Sequence, residues 1–230
     1  QVFAQLEQMH ADLAPYASGV ASQVTVFANT NAINCFLPED LGDFLREHPR
    51  IRVSLEEQPS PAIVQAVAAG QVDIGVVAAE SGPGSLDTRP YRQDRLVLIV
   101  PADHALAGQP AAAFADVLGE PFVCLHAGSA IHTFMMNHAA RLGGRLDVRI
   151  QVRSFNAVCR MVAAGVGIGM VPRSSVAAVD GLKTVEITDP WAPRDLQLCT
   201  RSRAALSPAA AALFDHLAEK GRAQALTADA

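Results

Sequence analysis

The stretch Ala157-Val158-Cys159-Arg160-Met161-Val162-Ala163-Ala164-Gly165-Val166-Gly167-Ile168-Gly169-Met170-Val171-Pro172 constrains the fold more than any other part of the chain. It reads as a helix with one apolar face that stops at a glycine and turns straight into a short buried strand. Gly165 suits the helix C′ position, where a left-handed backbone costs least without a Cβ. Gly167 and Gly169 permit close approach of backbone, and Pro172 ends the strand. Upstream, Ser60 to Val77 repeats the plan as capped helix, glycine stop at Gly70 and buried strand. One such unit in each half predicts two similar α/β lobes with a cleft between them.

A chain of 230 residues can bury one large core or two lobes of about 100 residues each. Half of it is hydrophobic, which confines disorder to the ends. No run reaches the roughly 18 apolar residues of a membrane span, and no signal peptide opens the chain. It starts at Gln1, within a helical pattern, and is read as a fragment or a processed product. The formal net charge is -5 without a basic run, which argues against nucleic-acid binding by this portion. Cys35, Cys124, Cys159 and Cys199 match no zinc spacing. They read as buried reduced thiols of a cytoplasmic protein, with Cys35, Cys124 and Cys159 in apolar surroundings. No metal and no cofactor are expected.

Val2, Leu6, Met9 and Leu13 form a short coiled-coil-like seam. A dimerising linker helix and a helix lying on its own domain explain it equally well. Residues 23–28 read as the first strand, followed by a helix over 32–47 with Asn31 as N-cap and Pro38 in its first turns. Residues 51–57 alternate as a half-buried strand. A helix over 60–69 and a strand over 72–77 follow, so parallel βαβ units are expected. Arg95 to Pro101 reads as a long apolar strand crossing to the second lobe. There, a helix near 114–118, strands at 122–125, 148–153, 168–171 and 182–187, and helices over 131–142 and 156–164 are expected. Residues 189–195 cross back, 196–200 return to the first lobe, and a helix runs from 207 to about 219. The domains expected are the end of a linker helix (1–19), lobe one (20–100 and 194–220), lobe two (101–193) and a frayed tail (221–230).

The pattern resembles the effector-binding domain of LysR-type transcriptional regulators over nearly the whole chain. The resemblance rests on Leu37-Pro38, on Phe44 with His48-Pro49, and on Gly70-Gln71-Val72-Asp73-Ile74-Gly75. It continues through Leu98-Ile99-Val100-Pro101 with His104-Ala105-Leu106-Ala107 to Met161–Pro172. It implies two Rossmann-like lobes joined by two crossing strands, a periplasmic-binding-protein-like (type 2) arrangement, with a small-molecule site in the cleft. It also implies a separate N-terminal winged helix-turn-helix that reads promoter DNA, and a linker helix ending in residues 1–18.

In parallel α/β lobes, ligands meet the carboxyl ends of strands, where helix N-termini offer free N–H groups to anions. Asn29-Thr30-Asn31, Ser60, the loop His126-Ala127-Gly128-Ser129, and Ser154-Phe155-Asn156 occupy such places. The expected effector contacts are Asn29, Thr30, Asn31, Ser60, His126, Ala127, Ser129, Phe155 and Asn156. Plain helix capping is the competing explanation for each. By the resemblance, Asn31 and Ser60 stand where a hydroxyl is common, so Asn31 departs from the pattern. His126 and His132 can add charge or respond to pH, with a surface or packing role favoured for His132. Glu80 is expected in solvent and Phe134-Met135-Met136 in the core.

Gly165-x-Gly167-x-Gly169 is no dinucleotide fingerprint, because that motif needs strand, glycine turn, then helix. No Gly-x-Ser-x-Gly elbow or metal-hydrolase spacing points to an enzyme. The expected function is a sensor that binds a small, anionic effector between its lobes and shifts the geometry of a homodimer or tetramer. Strand 51–57 and neighbouring helices are the expected dimer face, and DNA is reached only through the missing domain. A periplasmic solute-binding protein of a transporter is the alternative, and an enzyme on the same fold the second.

Overall fold

The computed structural model describes residues 22–176 and 179–228. The expected linker helix of residues 1–19 lies outside the described residues. The described residues divide into two units, one made of those up to 92 together with those from 196 onward, the other of those between 93 and 195.

In unit 1, β1 (Ser22–Ala28), β2 (Ile51–Glu57) and β3 (Ile74–Ala78) run parallel. β11 (Leu196–Thr200) and β4 (Asp87–Arg92) add two antiparallel strands, in the order β2-β1-β3-β11-β4. The expected parallel βαβ units are β1, β2 and β3, and the two antiparallel strands make the sheet as a whole mixed. β4 was not anticipated: its sequence Asp-Thr-Arg-Pro-Tyr-Arg is polar and carries a proline, which only an edge strand tolerates. Val24, Val26, Ile74 and Val76 pack on one face against α1 (Thr30–Cys35), α2 (Leu37–Glu47) and α6 (Pro208–Ala228). Val77 and Cys199 face the other way, onto Ile63 and Val67 of α3 (Ser60–Ala68).

Three local expectations change here. The helix over 32–47 is two helices broken at Phe36 (φ -128°), because Pro38 cannot donate to the preceding turn and opens α2 instead. The N-cap is Asn29, whose side chain accepts from the Ala32 amide at 3.0 Å, and not Asn31, which lies inside the helix. The C-terminal helix continues to Ala228 where a frayed tail was expected. Gly221 lets this helix lie on β4, since a Cβ there would fall 2.6 Å from the Tyr91 carbonyl oxygen.

In unit 2, the strands run in the order β6-β10-β5-β9-β7-β8. They are β5 (Leu96–Pro101), β6 (Ala111–Ala112), β7 (Pro121–Leu125), β8 (Asp147–Val152), β9 (Ile168–Pro172) and β10 (Leu182–Ile187). β5 is buried throughout and feeds two cores. Leu96, Leu98 and Val100 face the layer holding α4 (Ala130–Arg141), and Val97 and Ile99 face α5 (Phe155–Ala163). The helix expected near 114–118 is a 3-10 turn, Phe114–Val117. β5 belongs wholly to unit 2, so the passage between units falls before it at 92/93 and the return at 195/196.

The opening motif folds as read. At the end of α5, Val166 N–H donates to the Met161 carbonyl at 3.1 Å and Gly165 N–H to Val162 at 2.9 Å, with Gly165 at φ +77°. This paired closure is the Schellman motif. The same pair closes α3, from Gln71 to Ala66 and Gly70 to Val67, both at 3.0 Å. None of the four cysteines is in a disulfide, but the apolar set differs: Cys124, Cys159 and Cys199 are buried and Cys35 is only half-buried.

Candidate functional site

Parallel pairing brings the strand ends of unit 1 level, with Ala28 opposite both Glu57 and Val76. The chain beyond each strand is stitched to its neighbour. Asn29 N–H donates to the Val76 carbonyl and Gln58 N–H to the Ala28 carbonyl, both at 3.1 Å. The sequence predicts Ser60 as a helix cap. It is instead the first residue of α3, and its hydroxyl accepts from the Ala78 amide at 3.1 Å, tying α3 to the end of β3. Thr30 donates its hydroxyl to the Glu57 carboxylate at 2.7 Å. Asn29 and Ser60 are buried, while Thr30 and Asn31 are half-buried at the rim. The structure thus brings Asn29, Thr30, Asn31 and Ser60 to one edge of the sheet. Glu57 was missed as their companion, because nothing in the sequence pairs it with a residue 27 positions away. A cavity of about 420 Å³ in the same unit lies at the opposite, strand-starting end, beside Ser22, His48 and Ile51, and contains none of these residues.

Unit 2 repeats the arrangement. β7 and β8 run parallel with Leu125 opposite Val152, and His126 N–H donates to the Val152 carbonyl at 2.9 Å. Ser129 is buried and caps α4, accepting from the His132 amide at 3.3 Å. Ser154 caps α5, accepting from the Ala157 amide at 3.2 Å. His126, Ala127 and Asn156 are exposed at this edge. Phe155 differs from the rest: its ring is buried in the core with Val158 and Val162, so only its backbone reaches the edge. His132 Nε2 lies 3.1 Å from the Gln151 side-chain nitrogen. Burial, and then the neighbouring His126, hold the His132 pKa below the ordinary histidine value. Glu80 is exposed as expected, and Met135 is in the core while Met136 is not.

Each edge therefore brings together two helix starts and polar side chains that bind backbone amides, a chemistry suited to small polar or anionic groups. Among the described residues no cluster of three or more His, Cys, Asp or Glu is placed to hold a metal ion. The family model for the LysR substrate binding domain matches residues 17–222. This chain belongs to that family.

Relatives of the LysR family member include an uncharacterized HTH-type transcriptional regulator, YwbI of Bacillus subtilis (strain 168). It is 27% identical over 183 residues, which are 79% of this chain and 61% of the relative. The chain thus spans less than two thirds of that protein. The regulatory domain of Synechocystis PCC6803 CcmR in complex with 2-PG is similar in fold, with a TM-score of 0.74 at 22% identity over 87% of this chain and 98% of that one. The BenM effector binding domain with its effector benzoate gives 0.69 at 22% identity over 90% and 95%. At these identities the likeness is one of fold. The fold is that of LysR effector-binding domains, and the transporter alternative finds no support.

Proposed function

We propose that this chain is the ligand-sensing part of a LysR-type DNA-binding regulator, and that it binds a small anionic effector without transforming it. The family match over residues 17–222 carries this reading. The similar domains seen with benzoate and with 2-PG support it. The effector engages Asn29, Thr30, Asn31 and Ser60 from unit 1 and His126, Ala127, Ser129, Asn156 and the Phe155 backbone from unit 2. The Glu57 carboxylate on Thr30 opposes a full anion close to Thr30. Binding favours one arrangement of a homodimer or tetramer, with β2 and nearby helices of unit 1 as a contact face. A separate domain carries the response to promoter DNA in the cytoplasm.

Thermal shift across metabolite carboxylates, amino acids and aromatic acids tests the proposal, because a ligand that binds only the folded chain raises its melting temperature. We expect a dose-dependent rise with one class of acid, its return unchanged after incubation, and loss of the shift in Ser60→Ala and Asn31→Ala. Unchanged affinity in both variants would remove the site assignment.

A further inference from the structure

β2 turns Ile51, Val53 and Leu55 to one side, and Glu57 is the next residue of that series. Ile51 and Val53 pack on the unit 1 core, and Ala28, the register partner of Glu57, lies within it. The inward series of the strand thus ends on a carboxylate, where the β1–β2 pairing stops and α1 begins. No cation accounts for it. Among the described residues Glu57 has no ion-pair partner, and its contact is the Thr30 hydroxyl at 2.7 Å. Glu56 belongs to the other face of the strand and accepts from the Gln58 side-chain amide at 2.6 Å.

The direction of the Thr30 bond decides what the pair can offer. A hydroxyl has one proton and two lone pairs, and an ionised carboxylate has lone pairs only. With its proton committed to Glu57, the Thr30 hydroxyl keeps acceptor capacity alone, and the Thr30 carbonyl already accepts from the Asn34 side chain at 2.8 Å. Ser60, at the same edge, is in the opposite condition. Its hydroxyl accepts from the Ala78 amide and retains its own proton to donate. A ligand at this edge of unit 1 therefore meets acceptors at Thr30 and Glu57 and a donor at Ser60.

We infer that Glu57 sets the class of ligand at this edge: it selects acids that also carry a hydroxyl or ammonium group over plain acids, by accepting that donor beside Thr30. The inference rests on the proposed binding of an acid and adds a second, hydrogen-donating group to it. A hydrocarbon or a second carboxylate placed there strips water from Glu57 and returns no hydrogen bond, and the carboxylate adds like-charge repulsion. A hydroxyl or ammonium group replaces the lost bond with a charge-assisted one, which is the stronger kind. Glu57 is exposed, so it meets such a group without a change of the strand.

Titration of the isotope-labelled chain followed by NMR tests it, with butyrate against hydroxybutyrate and aminobutyrate, and benzoate against hydroxybenzoate and aminomethylbenzoate. The donor-bearing acids of a set are expected to bind about tenfold more tightly than the plain one and to shift the Thr30 and Glu57 amides. Glu57→Ala is expected to abolish that preference and to strengthen binding of the plain acids, because it returns the Thr30 proton to the ligand. Glu57→Gln, which keeps an acceptor without the charge, is expected to retain the preference for hydroxyl and lose that for ammonium. Equal affinities within each set, or a preference that survives Glu57→Ala, would overturn the inference and leave the sensing proposal standing. Amides at this edge that no acid moves would also overturn it, whereas the sensing proposal fails only if the wider thermal-shift panel is silent as well.

Discussion

At the residue scale, His132 shows how one side chain takes two constraints. It is the third residue of α4, its amide is bound by the Ser129 cap, and its ring is half-buried beside Gln151. Burial first and His126 second hold its pKa down, and a positive charge there also opposes the helix dipole. The folded chain thus prefers the neutral ring. The stability this contributes is fully present above the unfolded histidine pKa of about 6.5. It is lost as pH falls through that value towards the lower folded one. We expect the urea midpoint of the native chain to fall between about pH 7.5 and pH 5 more steeply than that of His132→Gln. Parallel slopes would show that other groups carry the acid sensitivity. Thiols obey the same electrostatics: burial pushes Cys124 and Cys199 up to about 11, so neither is a thiolate near neutral pH. With Cys159 also buried, at most one thiol per chain, Cys35, should react quickly with a disulfide reagent. A stoichiometry of two or more would contradict the packing.

At the element scale, the helix–glycine–strand unit works because its glycines do different jobs. Gly165 supplies the left-handed turn, whereas Gly167 supplies room. A Cβ on Gly167 would lie 2.2 Å from the Pro121 carbonyl oxygen, and backbone of β7 cannot retreat without breaking its own ladder. Gly167→Ala is therefore expected to destabilise by about 3 kcal/mol in chemical denaturation. Gly119→Ala, with nothing within 4 Å, should be near neutral. Equal midpoints for the two variants would mean that the sheet yields there. The same scale explains what could not be read in advance. β4 is recognisable only from its partner β11, since its own residues carry neither alternation nor β-rich composition. The split at Phe36 was in reach, because Pro38 marked a helix start as readily as a tolerated interior position.

At the scale of the whole molecule, each unit buries its own sheet between two layers. Asp40 is a buried carboxylate that α2 supplies to Arg92 and Tyr91 some 50 residues later. Removing its charge leaves the Arg92 guanidinium unpaired, at a cost of about 3–5 kcal/mol. Trp191, the single tryptophan, lies in unit 2 against Phe114, Phe134 and His138. In Asp40→Asn the unfolding midpoint followed by circular dichroism should fall further than the midpoint followed by Trp191 fluorescence. Equal shifts would show one cooperative block instead of two.

Much of this protein was settled by local chemistry. Apolar periodicity, glycine stops and prolines determined where nearly every strand and helix lies, because backbone conformational preferences act over a few residues. The repeated helix–glycine–strand unit determined that there would be two similar α/β halves, and the ordered motifs pointed to the family later shown by the match over residues 17–222. Tertiary structure alone decided the rest. Whether Ser60 caps a helix or reaches Ala78, whether Phe155 faces outward or into the core, and that Thr30 meets Glu57 all depend on residues remote in sequence becoming neighbours. Hydrogen bonds and burial form only after the strands have paired, and pairing in a mixed sheet is a property of the whole unit, not of any segment within it.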